Sequence, residues 1–255
     1  MGLLRRAFDG EADVVDVPTC DALPDAVAAH ALTRVAVIPA RTSAGLASTV
    51  LVRRLRTASP GVAIVVAAAA DASLSHAIMA LGAAGVHGFL FPDQDTSALV
   101  VRHALASARS ACAAEVILRA IGDVIPSGLR DFVSMCLTRP QEVSTVSRAA
   151  VMIGVHRRTL FHRCRDLADG FGAEELLSWC RVLLAAHMLR DQHRTVESIA
   201  LELDASSVTG LRNLLKRYTG MSASELRKQG GLPVAVQAFR RRLIPAATAK
   251  SDGAS

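Results

Sequence analysis

The 255-residue sequence predicts two domains of different class, an α/β domain followed by an all-α one. Three observations carry that reading. Short β-branched runs alternate with Ala/Leu-rich stretches before residue 110, a fifty-residue internal duplication occupies the chain beyond residue 144, and the charge balance changes between the two. Residues 1–143 hold 12 Lys/Arg against 13 Asp/Glu, residues 144–230 hold 13 against 9, and residues 231–255 hold 4 against 1. The net charge of +6 therefore belongs to the second half, where a polyanionic partner is expected.

In chain order, residues 1–12 read as an N-terminal tail and residues 13–110 as the α/β domain. Its expected strands are Val14-Val15-Asp16-Val17, Val35-Ala36-Val37-Ile38, Val62-Ala63-Ile64-Val65-Val66 and Val86-His87-Gly88-Phe89-Leu90. Each run is short, nearly all apolar and bounded by Pro, Gly or charge, as buried parallel strands are. The stretches Ala22–Leu32, Leu46–Ala58, Ser73–Ala84 and Thr96–Ala108 are long enough for crossover helices, which makes about four βα units on a parallel sheet. No glycine-rich phosphate loop follows any strand, and no Asp/Glu cluster suited to Mg2+ is present.

On Arg53-Arg54-Leu55-Arg56-Thr57-Ala58-Ser59-Pro60, the apolar strand after it, and Ala80-Leu81-Gly82-Ala83-Ala84-Gly85-Val86-His87-Gly88-Phe89-Leu90, residues 34–92 resemble the later part of a response-regulator receiver domain. That family's functional residues are missing. Pro39 stands where the resemblance places the phosphoacceptor Asp, Ala67 or Ala68 where it places a hydroxyl, and Phe91 where it places a Lys. An aspartyl phosphate cannot form without the carboxylate and its metal ligands, so the domain is expected to regulate or dimerise through contacts alone.

Residues 111–143 read as a helical linker. Beyond them, Thr145-Val146-Ser147-Arg148-Ala149-Ala150-Val151-Met152-Ile153-Gly154-Val155 lines up with Thr195-Val196-Glu197-Ser198-Ile199-Ala200-Leu201-Glu202-Leu203-Asp204-Ala205. Each copy offers a hydroxyl suited to an N-cap, an apolar stripe with a small central residue, a short turn and a second helix. The pattern is a helix-turn-helix, present twice. In the first copy Leu160, Cys164 and Leu167 form the buried stripe of the second helix, leaving Arg157, Arg158, Phe161, His162 and Arg165 outward. In the other, Val208, Leu211 and Leu215 are inward, and Ser207, Thr209, Arg212, Asn213 and Lys216 outward. Arg, Lys, Asn, Ser and Thr can reach base edges and phosphates from a major-groove helix, so these ten residues are the candidate DNA contacts. The segment Glu174–Arg190 carries Leu176, Leu177, Cys180, Leu183, Leu184 and Met188, as a central helix packed against both copies would. At roughly 1.5 Å per residue it spans about 25 Å, which suits recognition helices near one helical repeat of DNA apart.

Residues 144–230 resemble the AraC/XylS-type DNA-binding domain. The resemblance lies in Ile153-Gly154-Val155, Arg158-Thr159-Leu160, Arg181 with Ala185 and Leu189, Ile199-Ala200, and the closing run from Leu215 through Thr219-Gly220-Met221 to Leu226-Arg227. It implies a bacterial transcription factor with an N-terminal regulatory or oligomerisation domain. The scarcity of lysine, three of 29 basic residues, fits a GC-rich bacterial genome. Departures from the family pattern are Asp204-Ala205 at the second turn, Ala223 for a Pro, Leu226 for an aromatic, His156 at a capping Ser and His162 at a frequent base-contacting Arg. Asp204 can occupy the left-handed conformation at some cost, but its charge would repel phosphate, so the first copy is expected to dominate affinity.

Double-stranded DNA is thus the expected partner, with RNA polymerase and a second copy of the chain, docked through the N-terminal domain, as further candidates. A protein-interaction module with degenerate helix-turn-helix copies is the alternative. Phosphorylation-driven control is opposed by Pro39, and no catalytic constellation marks an enzyme. No cofactor is expected. Five cysteines without a CxxC pair, and His156, His162, His187 and His193 without compact spacing, predict neither disulfides nor a metal site. With no apolar run approaching the roughly 20 residues of a spanning helix and no apolar stretch after Met1, a cytoplasmic protein off the membrane is expected. Residues 231–255, with Phe239-Arg240-Arg241-Arg242, read as a basic flexible tail.

Overall fold

A computed structural model describes residues 2–8, 12–30, 33–42, 47–69, 74–95, 97–168, 170–192 and 194–243. The chain divides into two compact units between Cys112 and Ala113.

The first unit contains α1 (Gly2–Ala7), a single 3-10 turn at Cys20–Ala22, α2 (Leu23–Ala29), β1 (Val35–Pro39), α3 (Thr49–Ala58), β2 (Ala63–Ala67), α4 (Leu74–Ala84), β3 (Gly88–Leu90) and the start of α5 (Ala98–Ile121). The three strands are parallel in the order β1-β2-β3, with Val37 opposite Val65 and Val66 opposite Phe89. Because side chains alternate across a strand, the continuous apolar run of β2 feeds both faces. Ile64 and Val66 join Ile38, Leu51, Val52, Leu55 and Leu81 on one side, while Ala63 and Val65 join Leu90, Val101, Leu105, Ala108 and Ala7 on the other. Helices therefore cover both faces of the sheet.

Two expectations fail here. The Val14–Val17 run is not a strand: Val15 is exposed and Asp16 is held by Arg5 at 2.5 Å, so the described sheet has three strands where four were expected. A run interrupted by a carboxylate that finds its partner outside the sheet loses the apolar continuity a buried strand needs. Nor are residues 1–12 a tail throughout, because Ala7 of α1 is fully buried on the sheet and its carbonyl accepts from the Arg102 guanidinium.

The regular elements among the described residues of the second unit are all helices. After the end of α5 come α6 (Ser127–Thr138), α7 (Val146–Met152), α8 (Arg157–Arg165), α9 (Ala173–Met188), α10 (Val196–Glu202), α11 (Val208–Thr219), α12 (Ala223–Lys228) and α13 (Leu232–Leu243). Helix α9 is buried nearly all round, through Leu176, Leu177, Trp179, Cys180, Val182, Leu183, Leu184 and Ala185, and it packs against α6, α7, α8, α11, α12 and α13. A helix apolar over most of its circumference belongs at the centre of a bundle.

Its cover includes two segments whose sequence reading must be corrected. Within the linker region, α6 buries Leu129, Phe132, Val133 and Leu137 in the same core. The basic tail is helix α13 as far as residue 243, and residues 244–255 lie outside the described residues. Leu232, Ala235, Val236 and Phe239 supply its inward stripe. The arginine run is divided by the helix: Arg240 donates to Asp123 at 2.6 and 2.8 Å and to the Ala120 carbonyl at 2.9 Å, and Arg242 forks onto Glu175 at 2.8 and 3.1 Å. Phe239 meets Trp179 edge-on, with centroids 5.3 Å apart, and Trp179 meets Tyr218 of α11 at 4.9 Å.

Candidate nucleic-acid interface

The helix pairs α7–α8 and α10–α11 begin alike. Thr145 Oγ1 accepts from the Arg148 N–H at 3.2 Å and Thr195 Oγ1 from the Ser198 N–H at 3.1 Å, so each first helix is capped by the residue the duplication aligns. Seven helical residues follow in both, with Ala149 and Ala150 buried in one and Ile199 and Ala200 in the other.

Both turns then close by the same bonds. The Gly154 N–H donates to the Val151 carbonyl at 3.2 Å and the Val155 N–H to Ala150 at 3.0 Å; fifty residues on, Asp204 donates to Leu201 at 3.2 Å and Ala205 to Ala200 at 2.9 Å. This closure requires a left-handed residue. Gly154 provides it at φ +69° and Asp204 at φ +48°, the one positive-φ residue other than glycine among the described residues. The second turn is therefore built despite lacking the Gly.

The second helices differ in how they start. The Ser207 hydroxyl accepts from the Gly210 N–H at 2.9 Å, the usual cap. On α8 the His156 ring takes that role, its Nδ1 accepting from the Arg158 N–H at 3.2 Å. That nitrogen must carry a lone pair, so this cap exists only with His156 unprotonated on Nδ1.

All ten candidate residues lie on α8, on α11 or at the α11 cap. On α8, Leu160 and Cys164 are buried while Arg157, Arg158, His162 and Arg165 are exposed; Leu167, expected on the same stripe, is half-buried in the turn beyond the helix. Phe161 is half-buried under Arg157, whose guanidinium sits 5.1 Å from the ring centroid and 3.4 Å from Glu174. Arg158 reaches His162 at 3.4 Å. On α11, Leu211 and Leu215 are buried and Val208 half-buried, leaving Thr209, Arg212, Asn213 and Lys216 exposed, and Arg212 pairs with Glu197 at 2.7 Å. Glu197 is held below the ordinary carboxylate range, first by its own backbone N–H and then by the Thr195 hydroxyl and the Arg212 charge.

Three positioning residues escape a reading based on outward faces. Arg163, on the same helix as the candidates, turns back to donate to the Gly128 carbonyl of α6 at 2.8 Å. Arg181 of α9 donates to the carbonyls of Val143 and Ser144 at 3.2 and 3.0 Å, immediately before the Thr145 cap. Arg227 of α12 does the same before the Thr195 cap, donating to Gln192 at 3.1 Å and Arg194 at 2.5 Å. Each pair is thus fixed at its start by an arginine from the helix that follows the pair. The signal was available, since both residues stand in the motifs that carry the AraC-type resemblance.

The thiols behind α8 are chemically quiet. Burial pushes Cys164 up to about 12, with the nearby Asp166 and Cys136 adding to it. Cys180 is raised by its hydrogen bond with Cys136 and then by burial. Among the described residues no three His, Cys, Asp or Glu side chains gather as a metal-binding cluster, and His193 lies outside those residues. No helix among them is long and apolar enough to cross a membrane.

Residues 149–229 match the family model of a helix-turn-helix domain of the AraC type. The chain thus carries a DNA-binding domain of the kind found in transcription regulators. Among solved structures, a transcriptional regulator, CdpR from Pseudomonas aeruginosa, is similar to the chain at 23% identity with a TM-score of 0.35, over 48% of this chain and 39% of that one. No curated protein matches the chain.

Proposed function

We propose that the protein is a bacterial transcription regulator that reads double-stranded DNA with two helix-turn-helix units, α7–α8 and α10–α11. In this reading α8 and α11 enter adjacent major grooves on one side of the duplex. Arg157, Arg158, Phe161, His162 and Arg165 face the DNA from the first, and Ser207, Thr209, Arg212, Asn213 and Lys216 from the second. The observation that carries it is the recurrence, fifty residues apart, of one set of cap and turn hydrogen bonds followed by an outward polar face. A single duplicated backbone with two basic faces is what reading two half-sites without dimerising requires.

The first unit is proposed to be a regulatory or dimerising scaffold with a receiver-like outline, working through contacts with a second copy or with RNA polymerase. Pro39 at the end of β1, and alanines at and after the end of β2, support a role without aspartyl phosphate. The test is binding of the full chain to genomic fragments across a salt series. Salt-sensitive retention of a reproducible subset supports the reading, because phosphate contacts release counterions; absence of retention at low salt overturns it.

A further inference from the structure

Each candidate DNA-reading face has one arginine held by a carboxylate from a neighbouring helix: Arg157 by Glu174 at 3.4 Å, and Arg212 by Glu197 at 2.7 Å. Both carboxylates sit in the first turn of their helices, Glu174 on α9 and Glu197 on α10. Folding stability does not explain them. All four side chains are 52–58% exposed, and pairs that open to water contribute little. The more enclosed pair Arg194–Glu202, at 18% and 25% exposure, and the fork of Arg242 on Glu175 are of a different kind.

The two pairs are also not copies of each other. The positions fifty residues from Arg157 and Glu174 are Ser207 and Ser224, and those fifty residues before Glu197 and Arg212 are Ser147 and His162. Each half has an arginine–carboxylate pair where the other half has none, so duplication did not simply carry one pair along.

Resting on the DNA-reading function proposed above, we infer that Glu174 and Glu197 are specificity-determining residues that hold Arg157 and Arg212 away from indiscriminate phosphate contact. A carboxylate beside a DNA-facing guanidinium acts twice. It fixes the guanidinium in one direction before binding, which reduces the ordering cost at a matching base. It also competes with phosphate for the same donors and places a negative charge near the backbone, which penalises every sequence that offers phosphate alone. A base edge presented in the right register compensates for the lost pair; a backbone in the wrong register does not.

The experiment measures binding of the full chain and of its Glu174→Gln, Glu197→Gln and double variants to a selected fragment and to a scrambled duplex of equal length, each over a salt series. Affinity for the scrambled duplex is expected to rise about 3- to 10-fold per substitution, the selected-to-scrambled ratio to fall by at least that factor, and the salt slope for scrambled DNA to steepen by about one per freed arginine. Glu197→Asp, which keeps the charge, should retain most of the discrimination even if Glu197→Gln disturbs α10. Glu142→Gln, which removes the carboxylate paired with Arg139, should leave the ratio unchanged. Unchanged ratios in Glu174→Gln, Glu197→Gln and their double variant, in a chain whose wild type does bind selectively, would overturn this inference alone. Absence of salt-sensitive DNA binding by the wild type would instead overturn the reading beneath it.

Discussion

The pairs α7–α8 and α10–α11 share a backbone and the threonine caps of their first helices, and differ in charge, in the left-handed residue of the turn and in the cap of the second helix. Residues 145–166 hold five arginines and one acid, whereas residues 195–219 hold three basic and three acidic side chains. The first turn uses Gly154 and the second Asp204, and α8 is capped by an imidazole where α11 is capped by a hydroxyl. The supports differ as well. Helix α8 is tied to α6 through Arg163, while α11 rests on α13 and on the Trp179–Phe239 cluster. Hydrogen-bond geometry is thus preserved while charge and support diverge, which is what is expected if the turn is needed for folding and the face for choice of target.

The largest effect should come from the support of the second pair. Phe239→Ala leaves a cavity against Trp179 and should cost about 3 to 5 kcal/mol of unfolding free energy. Amide hydrogen exchange should show α11 losing protection before α8; equal loss in both would mean that α13 serves the whole unit alike. Next come the charges. Arg157→Ala with Arg158→Ala should weaken specific DNA binding by about 1 to 3 kcal/mol for each contact removed. Arg212→Ala should cost less, as read by fluorescence anisotropy on one fragment. A larger loss from Arg212→Ala would reverse the ranking of the two helices.

The turns should respond in opposite directions. At Gly154 an added Cβ meets nothing within 4 Å, so Gly154→Ala isolates the backbone cost of the left-handed conformation, about 1 to 2 kcal/mol. Asp204→Gly should stabilise by up to about 1 kcal/mol and strengthen DNA binding, since strain and a negative charge leave together. Thermal melts beside binding curves separate the two contributions. The caps follow at about 1 kcal/mol each for His156→Ala and Ser207→Ala, with His156→Ser expected to keep its bond. Smallest is the thiol effect. Cys164 and Cys180, raised by burial and by Cys136, should stay unmodified by a thiol reagent at neutral pH in the native state while the half-buried Cys20 reacts.

Much of this was legible in the residues because periodicity and duplication survive without knowledge of contacts. The fifty-residue repeat located both turns, both caps and the outward faces, and the alternating apolar runs located β1, β2, β3 and the helices between them. What escaped was decided by partners distant in sequence. Arg240 and Arg242 read as solvated tail charges because Asp123 and Glu175 lie 117 and 67 residues away, although the stripe Leu232, Ala235, Val236, Phe239 was there to be counted. Val14–Val17 read as a strand because composition cannot show that Asp16 pairs with Arg5. Nothing local marks Arg163 for its role, because its partner, the Gly128 carbonyl, lies 35 residues away.

The pattern of DNA protection tests the two paired helices most directly. Hydroxyl-radical footprinting of the full chain on a selected fragment should show two protected windows about 10 base pairs apart on one side of the duplex, the window nearer α8 persisting to higher salt. A single window, or protection without any periodic pattern, would contradict a protein that reads two adjacent grooves with two helices.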